Sequence, residues 1–408
     1  MKVHGFATSA IACVLIAAGA HSASAQESII YSFGQFADGR EPASAPLFDA
    51  AGNMYGCAVS GGLPGEPYFN TNGIVWKLTP AAGGTWTETV LYNFGTVAGD
   101  GANPSGSLIF DAAGNLYGTA AAGGANGLGI VFELSPGASA GGAWTEKVLY
   151  SFQGGTTDGA SPERVTLVRD EAGNLYGTTK FGGAYGSNSS GGTVFELSPV
   201  SGGTWKEKLI HSFGSGTDGA QPVAGVTLDA SGNLYGTTLV GGQYAEGTVF
   251  EVSPASGSTW TEKVLHSFDE NGVDGKNPYD PVILDSRGNL YGTTYGGGAN
   301  PEFLGIIFEL SPSASGEWTE QVLHTFTGDP DGTAPVPDGD FPYGGLVSDA
   351  AGNLYGATSG GGTAGNGGVL ACSSSSFSGR APNHSADSGS STGFNLGQTD
   401  SSNPASRR

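Results

Sequence analysis

The phrase Asp-x-x-Gly-Asn-(Leu/Met)-Tyr-Gly recurs six times, starting at Asp49, Asp111, Asp170, Asp229, Asp285 and Asp349, with successive spacings of 62, 59, 59, 56 and 64 residues. A period so long and regular marks a chain made of copies of one supersecondary unit, none of which can bury its apolar face alone. Two further phrases recur in fixed order around the first. One is the run Gly129 to Pro136, matched by runs ending at Pro80, Pro199, Pro254 and Pro312; the other runs from Trp144 to Phe152 and is echoed from Trp86, Trp205, Trp260 and Trp318. The period also decides how composition is read. Without order, 73 Gly and 21 Pro in 408 residues would describe low complexity, but at fixed repeat positions they describe turns.

Each repeat offers four strand-length segments, in the second repeat about 107–111, 115–120, 131–135 and 144–152, rich in β-branched and aromatic residues between Gly, Pro, Asn and Asp. No stretch after residue 26 sustains a 3.6-residue apolar period, so the expectation is all-β. Four short strands per repeat describe one blade, and six repeats a six-bladed β-propeller of four-stranded blades. There are six turn phrases but five Trp-led fourth strands. Glu27 to Phe33 lines up with the end of that strand, so the N-terminal strand is expected to close the last blade.

The flanks carry separate signals. Lys2, an apolar run over 7–20 and Ala23-Ser24-Ala25 read as a signal peptide over 1–25, with a mature start at Gln26 and the propeller over 26–372. Residues 373–408 are rich in Ser and Gly with few apolar side chains, which predicts a disordered tail. The expected Phe-Glu-Leu-Ser-Pro is degraded to Leu370-Ala371-Cys372-Ser373-Ser374, and a truncated or frame-altered end would account for it. These features predict a monomer that is secreted, extracellular or periplasmic or at the cell surface, with no membrane insertion once the signal is removed. After export two cysteines remain. Cys57 and Cys372 either pair, if the fold brings their Cα atoms within about 7 Å, or stay inert thiols, Cys57 filling a slot held elsewhere by Thr119, Thr178, Thr237 and Thr293.

Fifteen Lys and Arg against 37 Asp and Glu give a net charge of −22. That balance excludes a nucleic-acid partner and an anionic membrane surface, both of which need clustered basic residues. Asp-Gly pairs recur between the fourth strand and the next blade, at Asp38, Asp100, Asp158, Asp218, Asp274 and Asp338. They are expected to share one rim with the loops between the second and third strands. The six carboxylates either cap a repeated turn or form a ring at the channel mouth, where calcium is the one cofactor considered; otherwise none is expected. Asp-x-x-Gly-Asn itself reads as a hairpin turn, since Ala113 stands where an EF-hand-type loop needs a ligand.

The loops between the second and third strands vary and carry Tyr68, Phe69, Phe181, Tyr185, Tyr244, Tyr295 and Phe303. These aromatics are either sugar-stacking platforms or loop-packing residues. His211, His266 and His324 replace Tyr31, Tyr92 and Tyr150 at one repeat position, which marks a packing slot. No H-E-x-x-H is present and no histidine pairs in sequence with a candidate nucleophile, so catalysis is not expected. Asp280 and Glu163 are the non-repeated acids near inner strands, and a metal-dependent enzyme of the lactonase or lyase kind is the alternative they would serve.

The runs Gly-Asn-Leu-Tyr-Gly-Thr-Thr and Gly-Thr-Val-Phe-Glu-Leu-Ser-Pro, read at 173–199 and again at 232–254, resemble the GloVer tandem repeat of exported choice-of-anchor proteins. The resemblance covers about 27–372. It implies a surface or secreted repeat protein of no assigned activity with a C-terminal sorting anchor, whereas the tail ending Ser406-Arg407-Arg408 has no apolar span. A looser likeness to NHL-type propellers supports the fold and not a function. The combined expectation is a non-catalytic binding or surface-interaction module whose partner is a surface glycan or protein.

Overall fold

In the turn phrase, one aspartate holds the whole hairpin. Asp111 Oδ1 accepts the amides of Ala113 and Asn115 at 2.8 and 2.9 Å, while Oδ2 accepts Asn115 Nδ2 at 2.9 Å and the Tyr117 hydroxyl at 3.1 Å. Burial alone would raise this carboxyl, but those donors together hold it below its ordinary value. Gly114 sits at φ +85° and supplies the reversal. The same arrangement recurs at Asp49, Asp170, Asp229, Asp285 and Asp349. The hairpin reading of the phrase therefore holds.

The computed structural model describes residues 30–33, 39–62, 72–139, 141–187, 189–299, 304–327, 339–361 and 368–372. All belong to the unit Ile30–Leu396. The signal segment, the tail 373–408, Asp38, Asp338, Tyr68, Phe69 and Phe303 lie outside the described residues.

From each turn the chain builds an antiparallel blade. In blade two, Ile109–Phe110, Leu116–Ala120, Ile130–Ser135 and Thr145–Ser151 pair in sequence order. The repeats form six such sheets in a six-bladed β-propeller. The only helical turn among the described residues is a short 3-10 stretch, Ser256–Ser258. The inner edge departs from one continuous strand: Gly101–Ala102 pairs separately with Ala122–Gly123, and residues 103–108 arch between the two short pieces. These arches face the axis, and they differ most from blade to blade.

Repeated glycines let aromatic rings lie flat on the sheet. A Cβ at Gly118 would meet Phe132 Cζ at 2.6 Å, and Gly177, Gly236 and Gly292 lie under Phe195, Phe250 and Phe308 in the same way. Each Phe ring also receives a ring from the preceding blade: Phe94 meets Phe132 at 5.1 Å and Phe152 meets Phe195 at 5.2 Å. All are essentially fully buried. A bulge between Val131 and Phe132, repeated in the other complete blades, puts two residues of the fourth strand opposite one of the third. It explains why Val148, Leu149 and Tyr150 are apolar without alternation, since the side chains are re-aimed there.

Residues 30–33, which have no strand pairing of their own, pack against blade one as the end of a fourth strand packs against the next blade elsewhere. Phe33 lies 5.4 Å from Trp76, as Phe94 lies by Phe132, and the Tyr31 hydroxyl donates to Glu88 at 3.3 Å. Blade six contributes Gly339–Ser348, Leu354–Gly361 and Gly368–Cys372, with Cys372 opposite Leu354 just as Leu134 is opposite Leu116. Its outer part is the most open: Val369 is 85% exposed, whereas its counterpart Val131 is fully buried. No disulfide joins Cys57 and Cys372, which lie buried in different core clusters. Burial pushes the Cys57 thiol up to about 12.

Two outcomes follow. Gly114→Val, with open space around the missing side chain but φ +85°, should cost roughly 1–2 kcal/mol through the backbone alone; an unchanged melting midpoint would contradict the turn assignment. Cys57 should react with an aromatic disulfide reagent only after denaturation, as read by thiol titration with and without guanidinium.

Candidate functional site

The Asp-Gly pairs and the loops between second and third strands do share one rim. Gly101 pairs with Gly123, Gly159 with Gly182, Gly219 with Gly241 and Gly275 with Gly297. The four described aspartates do not form an open set of carboxylates at the channel mouth. Asp100, Asp158 and Asp274 are buried, and Asp218 is half-buried. Asp158 Oδ2 accepts the Tyr150 hydroxyl at 2.8 Å and the Gln153 amide at 2.7 Å, and Oδ1 accepts the Gly159 amide at 2.6 Å. The turn-cap reading accounts for these four residues, since each one's Oδ1 accepts the amide of the glycine that follows it.

The bulge aims a Tyr or His at each of these aspartates. Tyr92 and Tyr150 donate to Asp100 and Asp158, and His211 and His266 take the same place at 3.0 Å from Asp218 and Asp274. A glutamate from the next blade's fourth strand completes the seam. Glu146, Glu207 and Glu262 are pushed up to about 7, chiefly by burial and then by Asp100, Asp158 and Asp218 respectively, and Glu320 is raised likewise beside Asp274. Among the described residues, two of these seams bring a histidine and two carboxylates close enough to hold an ion: His211–Asp218–Glu262 and His266–Asp274–Glu320.

The predicted aromatics separate. Tyr185 and Tyr244 stand exposed on their loops, and Phe181 lies beneath Lys180 with its ammonium 5.3 Å from the ring centre. Tyr295 joins a cluster that the sequence did not single out. It stacks on Phe341 at 4.8 Å with 24° between the ring planes, and it lies 5.4 Å from Tyr279 and 6.2 Å from Tyr343. Arg164 of blade three reaches over the Tyr343 ring of blade six, 4.0 Å from its centre. Those blades stand three apart in a ring of six, so the contact crosses the axis.

Asp280 anchors this cluster. Its carboxylate lies 3.6 Å from Arg164, its side chain is 7% exposed, and its Oδ2 is buried without a hydrogen-bond partner. Burial raises its pKa, outweighing the nearby Gly345 and Gly344 amides and the Arg164 charge, which favour the charged form. Arg164 itself adopts φ +60°, outside the repeated left-handed slot just before each Pro that Asn103, Ser161, Gln221 and Asn277 occupy. Glu163 accepts from Lys180 at 2.8 Å on the same side.

The signal for these residues was their failure to repeat. The two positions after the arch proline read Ala43-Ser44, Ser105-Gly106, Glu163-Arg164, Val223-Ala224, Tyr279-Asp280 and Tyr343-Gly344. The inner arches place them around one axis, which spacing alone does not show.

Repeated seams and a non-repeated axial cluster define a propeller-type repeat protein with one asymmetric face. The Gloeobacter/Verrucomicrobia repeat matches residues 20–205 and 184–403, and the chain belongs to that family. No curated protein matches it in sequence. Similar solved structures include a putative 6-phosphogluconolactonase from Bacteroides uniformis, 14% identical over 78% of each chain with a TM-score of 0.47. A protein of unknown function from Dyadobacter fermentans is 14% identical over 84% of this chain and 96% of that one, with a TM-score of 0.45. An exo-1,5-α-L-arabinanase from a bovine ruminal metagenomic library is 13% identical over 71% of this chain and 100% of that one, with a TM-score of 0.32. These likenesses carry no argument about chemistry.

The seam glutamates give a signed pH dependence. Their folded values stand above the ordinary 4.5, so the folded state binds more protons between about pH 4.5 and 7 and stability falls as pH rises through that window. His266, which burial would lower but the Asp274 bond and charge raise, acts with the same sign above 6.5. The turn carboxylates at Asp111 and Asp170, held low, lose their contribution only as pH falls below about 3.8. The melting midpoint should therefore be higher at pH 5 than at pH 8, and Glu146→Gln should raise it at pH 8 while flattening the profile. A midpoint that climbs from pH 5 to 8 would contradict the assignment.

Proposed function

We propose that the protein is an exported, non-catalytic binding module whose axial rim cluster takes a carbohydrate. The observation that carries this reading is the convergence of Tyr279, Tyr295, Phe341 and Tyr343 with Arg164 and Asp280, from three blades, at rim positions where the repeats disagree. Repetition explains residues that occupy every blade; it leaves these unexplained. Flat aromatic faces beside charged hydrogen-bonding groups suit the apolar face and hydroxyls of a sugar ring. Tyr343 is 41% exposed and offers the most accessible ring. The cations Arg164 and Lys180 are matched by Asp280 and Glu163, which favours a neutral saccharide over a uronate or phosphate. Export and a cell-surface or extracellular site of action belong to the same proposal, supported by the leader-like first 25 residues.

A second reading rests on Asp280 alone. A buried, non-repeated acid with an unpartnered oxygen is the feature that a lactonase or lyase would use. Its pairing to Arg164 two blades away fits a strut that shapes the binding face equally well.

A neutral-oligosaccharide array followed by calorimetric titration tests the proposal. Tyr343→Ala should weaken binding of a captured glycan about tenfold, the scale of a central aromatic contact, while Tyr244→Ala on another loop leaves it unchanged. Equal loss in both variants, or capture of no glycan, would remove the carbohydrate reading. Turnover of lactone or glycoside substrates that is abolished in Asp280→Asn would install the enzymatic one.

A further inference from the structure

The seams between blades differ in one atom set that the binding reading does not use. In the seam of Tyr150, Asp158 and Glu207, and in that of Tyr92, Asp100 and Glu146, a phenol stands beside two carboxyl groups. The next two seams put an imidazole there and keep both acids. His211 Nε2 lies 3.0 Å from Asp218 Oδ2, and His266 Nε2 lies 3.0 Å from Asp274 Oδ2. In each trio, one ligand atom from His, Asp and Glu lies within 4.8 Å of the others. Glu262 Oε1 and Glu320 Oε1 are buried with no hydrogen-bond partner.

We propose that the His211–Asp218–Glu262 and His266–Asp274–Glu320 seams each bind a divalent transition ion of the zinc, cobalt or manganese type, clipping the fourth strands of adjacent blades together. The spacing fits. Ligand bonds of about 2.1 Å place adjacent ligand atoms of an octahedral ion about 3 Å apart, which is the His–Asp separation in both seams. Asp218 Oδ1 and Asp274 Oδ1 are occupied by the Gly219 and Gly275 amides, which orients Oδ2 toward the ion, Asp274 Oδ2 also accepting the Asp269 amide at 3.0 Å. Each imidazole is fixed edge-on against a phenylalanine, His211 on Phe213 at 4.6 Å and His266 on Phe268 at 4.8 Å.

Charge and donor type select the ion. Two carboxylates and a neutral imidazole balance a dication, and the unpartnered glutamate oxygen gains a partner. One nitrogen with two oxygens suits borderline ions; calcium takes six to eight oxygen ligands, which these trios do not supply. The side chains of His211 and His266 are 21% and 20% exposed, so water can complete the coordination.

The protein supplies its own control, because sister seams carry tyrosine at the histidine position without loss of the blade. Untagged, chelator-treated full chain should retain zinc through equilibrium dialysis, with cobalt and manganese competing for the same sites. His211→Tyr and His266→Tyr should each remove one equivalent, and the double variant two, with the thermal shift produced by zinc falling in step. If a tyrosine variant misfolds, Glu262→Gln and Glu320→Gln provide the same readout. Absence of zinc retention, or retention unchanged in the double variants, would overturn the proposal and leave the trios as hydrogen-bonded fasteners.

Discussion

The carboxylate that follows each fourth strand is the constraint on which the ring depends. Asp158 takes a tyrosine hydroxyl from the strand just ended, an amide from the turn and the amide that opens the next blade. One side chain thereby fixes where a blade stops, how the chain turns and where the next blade begins. The following blade presses a glutamate toward the same carboxylate, so the seam concentrates negative charge that burial keeps partly protonated. Phenylalanine contacts across the same seam supply the apolar surface, and the aspartate sets their register. A chain with so few charged residues spends many of its carboxylates here and in the hairpins, where they act as acceptors for its own backbone.

What was legible in the sequence was whatever recurred. The turn aspartates, the Tyr-Gly pair beneath a phenylalanine ring and the Trp-led outer strand each appear often enough for their spacing to reveal a blade. The replacement of Tyr150 by His211 and His266 was visible as a slot, although its aspartate partner was not. The β-bulge was hidden, because nothing in Val131-Phe132 marks a change of pairing; its effect is a run of apolar residues that resembles ordinary two-sided burial. The split inner strand was hidden for a similar reason. Residues 103–108 read as a loop, and which way a loop arches depends on the neighbouring blades.

The candidate site was legible only in fragments. Tyr295, Asp280 and Glu163 carried local signals, but Arg164, Tyr279, Phe341 and Tyr343 are marked only by departing from the other repeats around the arch proline. Ring geometry alone brings blade three against blade six. A radial repeat thus divides the labour: positions identical around the ring hold it, while the arches at its axis are free to differ without disturbing a seam. The asymmetry of Arg164 and Asp280, a cation and an acid without counterparts in the other blades, is a product of that freedom.

The central claim is that ligand engages the non-repeated axial arches and not the repeated seams or the hairpin face. Hydrogen exchange followed by mass spectrometry, with and without a saturating captured oligosaccharide, tests it most directly. Protection should concentrate in peptides covering 161–167, 277–284 and 341–346, with the hairpins at Asp111 and Asp229 unchanged. Protection spread evenly over all the rim loops, or confined to the hairpin turns, would contradict the account.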